Sequence, residues 1–223
     1  MTADTNAERI AKLEDDNRRL RRLLEQRDAP GELRHRLRTT LALLRAIVRR
    51  STHTERDVPS YAAHLEDRLD AVSRAQALAD QEGEVDLRTL LADELFQYGS
   101  VEGDRLSLVG PDVKLQPRVG QIFALAIHEL AVNAVEHGAL GMNTGRIEVS
   151  WSAARVEPEK SLSLTWTEFG SSPKLKPDRS GFGTEVLTHM LAYDLKAETD
   201  LTFGPDRLQY KVCFPLLERA GRI

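Results

Sequence analysis

Residues 117–138, PRVGQIFALAIHELAVNAVEHG, constrain the fold of this 223-residue chain more than any other segment. The segment has helical length. Ile122, Phe123, Leu125, Ile127, Leu130 and Val132 cover most of its circumference, and a helix that is apolar nearly all round has to be buried. At 100° per residue, Glu129, Asn133, Glu136 and His137 gather into one arc of about 100°. Polar groups buried without partners are costly, so this stripe calls either for a bound group of complementary polarity or for a rim open to solvent. A nucleotide with its metal ion meets the first demand. The amide oxygen of Asn133 is a hard donor suited to Mg2+, which also takes phosphate oxygens and water. Glu129 is placed to hold a water or an attacking group.

Around this helix the periodicity is mixed. Residues 86–97 read as a helix and Leu106–Val109 as a short strand. Arg146–Ser152, Leu162–Thr167 and Leu208–Phe214 alternate with the period of strands, and a helix over 184–195 follows Gly181-Phe182-Gly183. Residues 83–223 are therefore expected to form an α+β domain, a two-layer α/β sandwich with helices on a mostly antiparallel sheet. Cys213, set between apolar neighbours, is expected in the core.

Before Gly83 the chain reads as helix alone. Over residues 7–28, Ile10, Leu13, Asn17, Leu20 and Leu24 step by three and four, which is a heptad seam with Asn17 at an a position. A buried Asn there selects a parallel two-stranded coiled coil, here 1–29; a solvated amphipathic helix is the alternative. Pro30-Gly31 breaks the helix. A second helix spans 32–52 with Leu33, Leu37, Leu41, Leu44 and Val48 as its stripe, and a third spans 58–82 with Leu65, Leu69, Val72 and Leu78. Two such helices form a hairpin over 30–82, and pairing across a homodimer gives a four-helix bundle.

Charge divides the chain in the same way. Residues 1–56 carry 14 Lys and Arg against 9 Asp and Glu, whereas the whole chain has a net charge of −4. The basic residues stand among acidic ones and few aromatics are present for base stacking, so nucleic acid is not an expected partner. No apolar run approaches the ~20 residues of a membrane span, so membrane insertion is not expected. The start MTADTNAERI lacks the apolar stretch of a secretory signal. A single cysteine excludes an internal disulfide, and a cytoplasmic setting is expected.

Two further motifs complete the pattern. Trp166-Thr167-Glu168-Phe169-Gly170 ends a strand with a carboxylate able to accept from the exocyclic amine of adenine. Gly181-Phe182-Gly183-Thr184 precedes a helix, where glycines let backbone amides approach phosphate. Alone, each also suits an ordinary turn. Taken in order, the set resembles the ATP-binding domain of histidine kinases, and more narrowly the HWE family, named for a His in its asparagine motif and a Trp-x-Glu motif. Here these are His128, within HELAVNAVEHGAL, and Trp166 with Glu168. Upstream, Glu32-Leu33-Arg34-His35-Arg36-Leu37-Arg38-Thr39-Thr40-Leu41 is similar to the family's phosphoacceptor motif.

The resemblance covers about residues 30–215 and implies a histidine kinase of a two-component system. ATP would phosphorylate His35, and the phosphoryl group would pass to an aspartate in the receiver domain of a response regulator. It further implies that Asn133 holds Mg2+ and that Glu129 and His137 line the nucleotide site. Glu168 would read adenine, and Gly170, Gly181, Phe182, Gly183 and Thr184 would shape the phosphate-facing loops. Glu32, one turn before His35, is placed to orient or deprotonate its imidazole, and Arg34, Arg36 and Arg38 to attract phosphates. Thr39 stands where the family usually has Asn, Glu136 where Lys is common, and Ser171 where a second Gly is usual. No recognisable sensor segment precedes the hairpin, which suggests a separate sensor protein as a further partner. Two other readings remain open at this stage. One is a phosphotransfer or adaptor protein with a degenerate ATP-binding domain; the other is a dimeric scaffold.

Overall fold

In a computed structural model of the chain, the described residues are 31, 34, 37–51, 57–103, 105–156, 159–170, 181–216 and 221–222. The heptad over 7–28, the residues His35 and Glu32, and Ser171 lie outside them. The chain divides into two compact units, Met1–Ala46 and Ile47–Ile223. Helix α1 (residues 37–51) contributes 37–46 to the first and 47–51 to the second. In the first unit Leu37 and Leu41 are exposed while Leu43 is buried.

In the second unit helix α2 (Val58–Glu82) starts where the Asp57 carboxylate accepts from Ser60 N at 2.8 Å. That bond satisfies one of the amide groups left orphaned at a helix start. Its buried side differs from the expected leucine stripe. Arg68, Ala71, Val72, Ala75 and Ala79 are buried, whereas Leu65, Leu69 and Leu78 are only half-buried. Alanines at this spacing let α2 lie close against the next long helix, α4 (Pro117–Glu136). In chain order, α3 (Leu87–Phe96) comes between them, capped by Asp86 through Thr89 N at 2.8 Å.

Two sheets follow. A small one pairs β1 (Val85–Asp86), β3 (Lys114–Leu115) and β8 (Gly221–Arg222). The large one comprises β2 (Leu106–Val109), β4 (Arg146–Val156), β5 (Glu159–Phe169), β6 (Glu198–Phe203) and β7 (Arg207–Leu216), in the order β2-β4-β5-β7-β6. The pair β2/β4 is parallel and every other pair of the large sheet antiparallel. The fold is thus α+β, as expected. The edge strand β6 was not anticipated, because its alternation is carried by Thr, Leu and Phe with little burial.

Helix α4 organises the core. Every residue from Val119 to Ala131 is buried. By length and composition the stretch Pro117–Gly141 could cross a membrane, but 78% of its apolar 18-residue window is covered by the protein itself. Period-2 alternation turns one face of the sheet inward: Ile147, Val149 and Trp151 from β4, Leu162, Leu164 and Trp166 from β5, and Tyr210, Val212 and Phe214 from β7. Phe123 of α4 meets Phe214 with ring centroids 5.3 Å apart. Such a pair contributes about 0.5–1.5 kcal/mol beyond its area burial. The same alternation corrects the expectation for Cys213. It projects to the opposite face, half-buried, where its sulfur accepts from Ser163 Oγ at 3.3 Å.

The last helical run begins at Phe182, two residues earlier than its sequence suggests. It comprises α5 (Phe182–Glu185), a π-helical stretch Val186–Met190 and α6 (Leu191–Leu195). The Tyr210 hydroxyl donates to Leu187 O within the π stretch at 2.7 Å.

Candidate functional site

The stripe on α4 runs from a buried start to an open end. Glu129 is 5% exposed, and its partner is Arg68 of α2. Arg68 Nε donates to Oε1 at 2.7 Å and Nη2 to Oε2 at 3.4 Å. The same guanidinium donates through Nη1 to Ser51 Oγ at 3.2 Å and lies 3.7 Å over the Phe182 ring. One turn along α4, Asn133 is half-buried. At the other end Glu136 and His137 are exposed, with His137 Nε2 3.7 Å from Glu136 Oε2. The buried end of the stripe is thus paired with a side chain of α2, a partner the sequence pattern did not suggest, and its far end is open to solvent.

The glycine turn closes on this wall. A Cβ at Gly183 would lie 2.9 Å from Glu129 Oε2 and 3.5 Å from Asn133 Nδ2, so only glycine lets the backbone approach so closely. The fold thereby brings together Glu129, Asn133, Phe182 and Gly183. Gly181 has open space around it, and Thr184 is half-buried in the first turn. Among the described residues no three His, Cys, Asp or Glu side chains gather as a metal cage. The cluster's side-chain oxygens are the Glu129 carboxylate, already paired with Arg68, and the Asn133 amide oxygen.

Glu168 forms a second focus near the end of α4. Positions 166 and 168 share a face of β5, so Trp166 Nε1 reaches Glu168 Oε1 at 3.1 Å. Ala139 N donates to Oε2 at 3.0 Å. The carboxylate is 1% exposed and would meet a Cβ at Gly138 at only 2.0 Å. The Trp-x-Glu spacing therefore has a direct physical meaning: it supplies a donor that fixes a buried carboxylate. Arg105 steadies the segment after α4 by donating to Gly145 O at 2.8 Å, Ala139 O at 3.1 Å and Met142 O at 2.5 Å. Gly170, with φ of 76°, ends the strand in a left-handed turn. Along the axis, Glu129 and the end of α4 at Glu136 are about 10 Å apart, so the two foci mark the ends of an elongated site.

His128, the neighbour of Glu129, points elsewhere. Its Nδ1 is 2.8 Å from the Tyr98 hydroxyl and 3.0 Å from Glu94 Oε1, and Arg74 Nη2 donates to Glu94 Oε2 at 2.6 Å. This buried network ties α2, α3 and α4 together. Burial, followed by the nearby charge of Glu94, pushes the Tyr98 phenol well above its usual range. Sequence reasoning missed Arg68, Arg105 and Gly138. The one local signal for Arg68 is a lone Arg on the face that also carries Val72, Ala75 and Ala79.

Residues 32–112 match the family described as HWE histidine kinase. Blue-light-activated histidine kinase 1 of Erythrobacter litoralis is 34% identical over 200 residues, covering 86% of this chain and 54% of that protein. A blue-light-activated histidine kinase of Brucella anthropi is 28% identical over 187 residues, covering 83% of this chain and 38% of that protein. The chain thus spans about half, or less, of the length of these curated relatives. Among solved structures, the histidine kinase domain of a blue-light-activated histidine kinase from Erythrobacter litoralis gives a TM-score of 0.56 at 16% identity, covering 82% of this chain and 95% of that one. A second, longer chain of that kinase gives 0.54 at 15% identity, covering 78% of this chain and 59% of that one. At these identities the likeness is one of fold.

Proposed function

Because the chain belongs to the HWE histidine kinase family, we propose that it binds ATP with Mg2+ along α4 and transfers the γ-phosphoryl group to His35. The observation that carries this reading is the convergence of Glu129, Asn133 and Gly183, from two distant segments, on one wall. Glu168 stands at the far end of the same helix.

Each side chain then has a task. Glu168, oriented by the N–H donors of Trp166 and Ala139, is the carboxylate that accepts from the adenine amine. Guanine presents an acceptor at that position and is disfavoured. The Gly181–Thr184 turn lies where backbone amides face phosphate. Asn133 fits Mg2+ as a hard oxygen donor beside the glycine turn; when bound, the ion neutralises charge on the transferring phosphate. His137 and Gly170 line the site's open edge. A ring nitrogen of His35 forms a bond to the γ-phosphorus, the bond to the β,γ-bridging oxygen breaks, and ADP leaves. The ring proton passes to Glu32. The phosphoramidate then gives its phosphoryl group to an aspartate carboxylate of a response-regulator receiver domain.

The proposal includes a homodimer through the hairpin 30–82, with 1–29 as a coiled coil and 83–223 as the catalytic domain, acting in the cytoplasm. Leu37 and Leu41, one turn apart in the first unit and exposed by 59% and 44%, support such pairing.

Incubation with γ-labelled ATP and Mg2+ tests the reading. The chain should carry label that is stable to base and labile to acid. His35→Gln should lose it while retaining ATP binding. Equal labelling of that variant would move the acceptor elsewhere, and a wild-type chain that binds no ATP would leave the adaptor and scaffold readings.

A further inference from the structure

We propose that Arg68 makes this site acceptable to a triphosphate by neutralising Glu129. The inference rests on the ATP reading above and adds a positioning residue that no motif contains. Glu129 is a buried carboxylate whose Oε2 stands directly against the Gly183 backbone, beside Asn133. On the ATP reading this wall faces the phosphates. An unpaired carboxylate there would repel a polyanion, and at low local polarity such repulsion acts over several ångströms. Arg68 removes it. Its fork contacts both carboxylate oxygens, at 2.7 and 3.4 Å. Stacking at 3.7 Å on Phe182, the residue between the two turn glycines, fixes the plane of the fork. The bond to Ser51 completes its pairing.

The geometry also explains why the cation is Arg. Arg offers a planar fork that pairs bidentately and stacks on a ring in the same pose, which an ammonium does not. With side chains 8% and 6% exposed, neither partner has water to compensate for the loss of the other. The compensating charge comes from α2, a helix that carries none of the nucleotide-site motifs, so the electrostatics of the phosphate end depend on where α2 lies on α4.

The test is a cycle of Arg68→Gln, Glu129→Gln and the double variant, read by calorimetric titration with Mg2+-ATP and, as an uncharged control, with adenosine. Gln keeps hydrogen-bonding capacity but no charge. Arg68→Gln should weaken ATP binding by about tenfold or more and leave adenosine binding unchanged. Adding Glu129→Gln should return ATP affinity to within about threefold of wild type, since the repelling charge has gone. Unchanged ATP affinity in Arg68→Gln would overturn the proposal. So would a double variant as weak as the single, because the guanidinium would then be touching the nucleotide itself. If Arg68→Gln does not fold, wild type, Glu129→Gln and the double variant are compared. A double variant within about threefold of wild type, with Glu129→Gln tighter than both, supports charge compensation, and a double variant about tenfold weaker than wild type refutes it. Failure of the wild-type chain to bind ATP would instead remove the nucleotide reading, and this inference with it.

Discussion

Gly138→Ala isolates the buried carboxylate at the end of α4. A Cβ there would lie 2.0 Å from Glu168 Oε2 and 2.8 Å from Ala134 Cα, against an ordinary C···O separation of about 3.3 Å. The φ of −121° at Gly138 is one that alanine adopts freely, so the clash, not the backbone, sets the cost. Glu168 must retreat by more than about 1 Å, which breaks its 3.0 Å bond from Ala139 N and strains its 3.1 Å bond from Trp166. Losing one hydrogen bond to a charged group costs about 1.5–3 kcal/mol. Replacing Gly by Ala returns about 0.4–1 kcal/mol by restricting the unfolded chain. The net expectation is a loss of about 2 kcal/mol, or roughly 4–8 °C in Tm for a unit of this size. Gly103→Ala is the control: its nearest neighbour is Val101 O at 4.0 Å, so its effect should stay within about 0.5 kcal/mol. Thermal unfolding followed by far-ultraviolet circular dichroism reads both variants, and competition of GTP against ATP reads selectivity, which should narrow in Gly138→Ala. A Tm within about 1 °C of wild type, with selectivity unchanged, would refute the placement of Glu168.

Three other perturbations have defined outcomes. Asn133→Ala should abolish Mg2+-dependent ATP binding without lowering Tm, because the side chain is half-buried; retained Mg2+ dependence in calorimetry would remove Asn133 from the metal. Asp86→Ala should cost about 1 kcal/mol at neutral pH through loss of the α3 cap. Burial raises the Asp86 pKa, but bonds from Thr89 and the charges of Lys114 and Arg88 outweigh it and hold the group below its usual value. A depressed folded pKa contributes stability above the unfolded value near 3.9, so the Tm gap between wild type and Asp86→Ala should be constant above about pH 5 and close as pH falls below 4. A gap independent of pH in that range would count against the cap. Asn17→Leu should strengthen association and admit assemblies above the dimer in light scattering; a monomer at every concentration, before and after the change, contradicts the coiled coil.

Much of the site was legible because it is written within single elements. The stripe Glu129–Asn133–His137 follows from helical periodicity, and Trp166 with Glu168 from the two-residue period of a strand. What escaped is long-range. Arg68 is 61 positions from Glu129, on a helix whose leucines suggested a different buried side. The alanines that replaced them, Ala71, Ala75 and Ala79, carry too little hydrophobicity to advertise an interface, yet their small size is what lets α2 approach α4. Cys213 was misplaced because its neighbours are apolar on both sides, and only pairing with β5 and β6 shows which face turns inward. Gly138 looked like an ordinary helix stop; its role depends on a carboxylate thirty residues later, whose position no local pattern encodes.

The place of β5 in the large sheet has a consequence for how the molecule breathes. It is the middle strand, bonded along nearly its whole length to β4 on one side and β7 on the other, so its amides exchange with solvent only when the sheet as a whole comes apart. Glu168 is therefore anchored on a strand paired on both sides. The Gly181–Thr184 turn, by contrast, leads into short helical pieces of changing hydrogen-bond pattern, where small openings can occur without global unfolding. One end of a bound nucleotide would rest on a permanent surface and the other on one that forms and reforms. Ligand-induced protection from exchange would accordingly concentrate at the turn and scarcely register on the strand.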